Sequence, residues 1–152
     1  MIEFETTVRV ACPASTVFAF LSSFENLPKW NYFVVDVTQI TPGPVGIGTT
    51  YHQVRKTDEQ DFSVTEFEPD SKIAVKTLPG SSPDLEMQFT LWADAGETEI
   101  RDRWKLKTGK PVLIEKVGAG QIKSAVTQNL LKLKELLEAG RVTLQDGRQV
   151  TL

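Results

Sequence analysis

At 152 residues the chain has the length of one domain built round one core, since two domains would leave each with too little interior. Its 40% apolar and 24% charged residues are ordinary globular usage and argue against disorder. The net charge is −3 and the pI near 5.2, with basic residues interleaved with acids nearly everywhere; a nucleic-acid binder would need a local basic stripe, and none is evident.

Ile2, Phe4, Thr6, Val8 and Val10 alternate with Glu3, Glu5, Thr7 and Arg9, which predicts a half-buried strand. Pro13 stops it and opens a short helix whose apolar face carries Val17, Phe18, Phe20, Leu21 and Phe24. A second helical turn over 25–27 is expected to end at Pro28. Strands follow over 33–40, 49–56, 61–67 and 72–78, separated by loops rich in Pro, Gly, Asp and Ser. Leu85, Met87, Phe89, Leu91 and Ala93, and then Ile100, Asp102, Trp104 and Leu106, alternate with polar residues, so one sheet face is apolar and the other wet. Gly109 and Pro111 open a final helix with Ile122, Val126, Leu130, Leu133 and Leu137 on one face, and Gly140 ends it. This order predicts an α+β fold: a curved antiparallel sheet of seven strands, two short helices after the first strand, and a long C-terminal helix closing a cavity. The tail, residues 141–152, reads as a hairpin with a three-residue loop of Asp146, Gly147 and Arg148, its apolar residues sharing one face. That face would cover its own domain or pair with a second copy; otherwise the tail frays.

The chain also resembles a known family. Trp30-Asn31, the run Gly43 to Thr49 (GPVGIGT), the run Val64 to Pro69 (VTEFEP), and Asn129-Leu130, Leu133-Lys134 and Leu137-Glu138 on the last helix are similar in order and spacing to the START-like superfamily, in its polyketide cyclase/dehydrase and lipid-transport branch. The resemblance runs from about Phe4 to Glu138 and implies the helix-grip fold. It does not imply one activity, because members include lipid carriers, polyketide aromatases, quinone-binding proteins and chaperone activators. Two features depart from the pattern: Gly118-Ala119-Gly120 lies inside the cover helix, and twelve residues follow Gly140.

Asp102 is the sharpest candidate residue, as an inward carboxylate that is either a polar anchor or acid in an apolar pocket, or a structurally satisfied group. The expected ligand contacts are Trp30, Tyr51, Met87, Phe89, Asp102, Trp104, Gly118 and Ile122; as aromatics and sulfur, several of these serve equally as plain core. Gln53 and Glu66 could join Tyr51 in the cavity, but their strands alternate too poorly to fix a face. His52, the one histidine, suits a solvated strand position as well as a catalytic one, and Trp92 falls on the wet face beside Arg and Lys residues. Gly118 and Gly120 would thin the helix over a ligand, hinge it, or simply break it. Cys12 is alone, which leaves no disulfide or thiolate cage, and no metal or cofactor is expected. With no signal peptide and no apolar run of spanning length, cytoplasm is the default and stable membrane insertion is not expected. The favoured reading is a carrier or binder of a small hydrophobic or amphipathic ligand of lipid, quinone or polyketide type. Its rivals are an aromatase or cyclase using Asp102 as acid/base, and a protein-interaction module; a homodimer is compatible with each.

Overall fold

A computed structural model describes residues 1–152. β1 (Ile2–Val10) leads through α1 (Ala14–Ser22) and a short 3₁₀ helix (Phe24–Lys29) to β2 (Val34–Gln39), β3 (Thr50–Arg55), β4 (Glu59–Glu68), β5 (Lys72–Thr77), β6 (Asp84–Asp94) and β7 (Glu97–Lys107). The long α2 (Val112–Ala139) and a final pair, β8 (Arg141–Thr143) and β9 (Gln149–Thr151), complete the chain. The first seven strands form one antiparallel sheet in the order β1-β7-β6-β5-β4-β3-β2. Strands β2 to β6 each pair with the next in sequence, and β7 pairs with β1. β1 and β2 lie at opposite edges, so α1 and the 3₁₀ helix carry the chain across the whole sheet. This is the helix-grip arrangement, an α+β fold.

The alternation of β6 and β7 holds along their length: Met87, Phe89, Leu91, Ile100, Asp102 and Leu106 are buried on the inner face, while Trp92 and the Arg and Lys residues face water. On β4 the pattern breaks for a physical reason. The register shifts between Val64 and Glu66, so Gln60, Phe62 and Val64 point inward before the bulge and Phe67 after it, leaving Glu66 outside. A similar shift between Val34 and Asp36 puts Val34 and Val37 inward. On β3, Tyr51 and Gln53 face in and His52 faces out.

The cover is shared more widely than one helix. Phe18, Leu21, Phe24 and Leu27 from the crossover join Val126, Leu130, Leu133, Leu136 and Leu137 of α2 in the same core as the sheet. The 3₁₀ helix runs on through Pro28 to Lys29 instead of stopping at the proline, because so short a segment needs few backbone donors. α2 starts after Pro111, is unbroken through Gly118 and Gly120, and ends at Gly140 with φ of 76°, the left-handed conformation that glycine adopts without strain.

The tail forms a hairpin, but with its loop one residue earlier than expected. Val142 pairs with Val150 and Thr143 with Gln149, so Gln145, Asp146 and Gly147 make the loop, closed by Leu144 N–H donating to the Arg148 carbonyl. The slip is two residues in the pairing and keeps the same face. Val142 and Leu144 are buried in the main core, so the hairpin packs on its own domain. Arg148 donating to the Pro28 carbonyl at 2.6 Å and the Lys56–Asp146 ion pair at 3.3 Å fasten it.

Candidate functional site

Between α2 and the inner face of the sheet lies a partly open cavity of about 290 Å³. It sits at one rim of the sheet, where β3, β5 and β7 end and β4 and β6 begin, and where α2 starts. Thirteen of its twenty lining residues are hydrophobic, among them Phe24, Leu27, Phe62, Met87, Trp104, Ile122 and Val126. The rest are Pro83 and six polar residues: Asn31, Gln53, Arg55, Thr77, Thr108 and Asn129. Pockets for small molecules have this make-up, apolar with a few placed polar groups, and the volume is at the lower edge of their range of about 300–1,000 Å³.

The polar groups are set mostly as donors. Arg55 is gripped by Asp58, from Nε at 2.6 Å and from one terminal nitrogen at 2.5 Å, which fixes the guanidinium at the cavity wall with its other terminal nitrogen making no bond within the protein. The Asn129 Oδ1 accepts from Gln145 Nε2 at 3.0 Å. Its amide N–H groups are thereby left for another acceptor. The terminal hairpin, through Gln145, therefore orients a group on the cavity wall. The Gln53 side chain is largely buried and makes no bond within the protein.

Of the residues expected at the site, Met87, Trp104 and Ile122 line the cavity. Tyr51, Trp30 and Phe89 lie behind the wall: Tyr51 stacks on Phe62 and meets the edge of Phe24, and Trp30 packs against Phe89. Gly118 is one turn before Ile122 and outside the lining. Gln53 reaches the cavity; Glu66 is on the opposite face, accepting from Gln88 at 2.7 Å. Leu27, Phe33, Arg55, Thr77, Thr108 and Asn129 were not anticipated. Asn129 was legible, being three residues beyond Val126 on the apolar row of α2. The two threonines sit at strand ends and carry no pattern.

Asp102 is 1% exposed, directly across from Thr6 on β1 and Phe89 on β6, the next inward pair along the strands from the lining pair Met87–Trp104 and outside the lining. Burial pushes its pKa up to about 7, against a smaller opposing pull from the Trp104 side chain. That pull is not a formed hydrogen bond, since Asp102 Oδ1, Trp104 Nε1 and Thr6 Oγ1 all lack partners within the protein. Burial likewise drives the unpartnered Tyr51 hydroxyl up to about 12. His52 is on the outer face, its Nδ1 at 2.6 Å from Asp61 Oδ1, which raises its pKa. Cys12 touches the Leu137 carbonyl at 3.5 Å, and burial raises its thiol pKa. No group of three or more His, Cys, Asp and Glu side chains is placed to hold a metal ion. No helix is long and apolar enough to cross a membrane. At the mouth, Glu115 on the first turn of α2 takes the Met1 ammonium at 2.7 Å and both the backbone and hydroxyl of Thr108, and these hold its pKa down at about 2.

Comparison with known proteins agrees with this fold. Residues 1–138 fit the model of the family described as polyketide cyclase / dehydrase and lipid transport. No curated protein sequence matches the chain. Among solved structures, a START superfamily protein from Mycobacterium smegmatis superposes with a TM-score of 0.72 at 18% identity, over 90% of this chain and 99% of that one. The Aha1 dimer from Colwellia psychrerythraea does so with a TM-score of 0.67 at 22% identity, over 92% and 98%. The di-domain ARO/CYC protein BexL gives 0.68 at 14% identity, over 90% of this chain and 48% of that one. At these identities the likeness shows the fold alone.

Proposed function

The chain belongs to the polyketide cyclase/dehydrase and lipid-transport family, and from that premise we propose that it binds a small amphipathic molecule with an apolar body and a hydrogen-bond-accepting end. The observation that carries this reading is the cavity itself. Its apolar wall suits a short chain or a flat ring, and Arg55, Gln53 and Asn129 offer donors to a carboxylate or carbonyl. About 290 Å³ is too small to enclose a two-chain lipid, so the ligand is a single-chain or one- to two-ring molecule.

Binding is favoured over turnover because Arg55 is the one ionisable side chain in the wall and it is tied to Asp58. Proton transfer needs groups within hydrogen-bond reach of the reacting atoms. The cyclase reading keeps one supporting observation: Asp102, buried with its pKa pushed up to about 7, is two residues from Trp104 on the same inner face of β7.

Straight-chain monocarboxylates displacing the probe 1-anilinonaphthalene-8-sulfonate test the proposal. Each buried methylene contributes about 0.8 kcal/mol, so affinity should rise roughly fourfold per carbon and stop rising once the cavity is full. Ala125→Phe, which fills the cavity from α2, should abolish displacement while the fold is retained. Equal displacement in wild type and variant would place the probe elsewhere and overturn the proposal.

A further inference from the structure

We propose that the first two turns of α2, with the lysines around them, form a docking tip for an anionic bilayer surface. Helices of this kind normally hide their apolar residues. Here Leu113 and Val117, one turn apart, are 78% and 79% exposed, and Val112 and Ile114 beside them are also exposed. Leu113 and Val117 stand on the side of the helix away from Glu115 and Ile122, which face the protein, and Val112 and Ile114 flank them. A tip of four contiguous exposed aliphatic residues marks a contact surface rather than the scatter of single apolar residues that any surface carries.

The charge of the tip identifies what it contacts. Lys110 precedes the tip, Lys116 lies within it and Lys123 follows it along the helix, and none has a carboxylate within ion-pair distance. Glu115, the one acid between Lys105 and Lys123, is buried and already neutralised by the Met1 ammonium. Lys110 and Lys116, near the positive end of the helix, work against its stability, so the helix dipole gives no reason for them. Aliphatic residues flanked by lysines match the acyl–headgroup boundary of an anionic leaflet, where the side chains enter the boundary and the ammonium groups meet the phosphates. A symmetric contact with a second copy would instead bring the lysines of both copies together.

The tip is at the rim where the cavity opens, beside the lining residues Thr108 and Ile122. A ligand leaving the bilayer would meet the mouth directly. That purpose rests on the cavity's binding a ligand; the docking does not.

Co-sedimentation with vesicles separates the two. Wild type should pellet with phosphatidylcholine–phosphatidylglycerol vesicles (about seven to three) and release as salt is raised, and should stay in solution with phosphatidylcholine alone. Leu113→Ser/Val117→Ser and Lys116→Gln/Lys123→Gln should each weaken pelleting about tenfold or more, with unchanged melting and unchanged probe binding in the cavity. Three results would overturn the proposal: no pelleting with the anionic vesicles, equal pelleting with the neutral ones, or a wild-type dimer by light scattering that Leu113→Ser/Val117→Ser splits.

Discussion

Asp102 shows how much one buried carboxyl can set. Its folded-state pKa of about 7 lies above the ordinary aspartate value of 3.8, so the folded protein holds this proton where the unfolded chain has released it. Stability from this group is therefore greatest below about pH 4 and falls as the pH rises towards 7, by an amount on the order of 4 kcal/mol. Asp102→Asn should remove the fall: the variant melts higher than wild type at about pH 8, with the difference shrinking at about pH 5. Parallel melting profiles across that range would mean that the carboxyl titrates normally. Glu115 acts in another window. Its depressed pKa gives stability that is lost only as the pH drops from about 4.5 towards 2, so the two effects separate. The inward position of Asp102 was legible because β7 alternates cleanly. Its distance from the cavity was not, because alternation fixes a face and says nothing about which part of that face is packed and which is open.

At the scale of elements, the sheet was legible wherever period-two alternation is unbroken and obscure wherever a bulge intervenes. The shift at Val64/Glu66 inverts the facing of Phe67, and no residue type announces it. The placing of Tyr51 and Gln53 needed the pairing of β3 with its neighbours, which is a long-range fact. α2 was legible through its apolar row, though only its second half packs continuously. The two glycines in its first half do not mark a break. A β-carbon at Gly118 or Gly120 would meet nothing within 4 Å, and both residues are helical. Gly118→Ala and Gly120→Ala should therefore each raise stability by about 0.5–1 kcal/mol in a denaturant melt. A loss of stability from either would mean that the backbone there departs from helical dihedrals. Unchanged probe affinity in the stabilised variants would leave the glycines no part in ligand exchange.

At the scale of the molecule, the three covers of the sheet have different tasks. The crossover and the second half of α2 close the core, the first half of α2 stands at the mouth, and the hairpin packs beside them and holds Asn129 at the cavity wall. The tail's hairpin signal was legible at Asp146-Gly147, but its register was not, since two three-residue loops keep the same apolar face. Removing residues 141–152 strips Val142 and Leu144 from the core, each contributing about 1.5–3 kcal/mol of burial, so melting should fall clearly while the mass by light scattering stays the same. A change of mass would make the hairpin an interface instead. The central claim, that the cavity is a binding site, is tested most directly by methyl NMR with a short monocarboxylate such as decanoate. The account predicts saturable shifts at Met87, Ile122 and Val126, with Ile40 and Ile47, exposed elsewhere, unmoved. Shifts confined to the exposed methyls, or none at any of the three across a series of such amphiphiles, would contradict it.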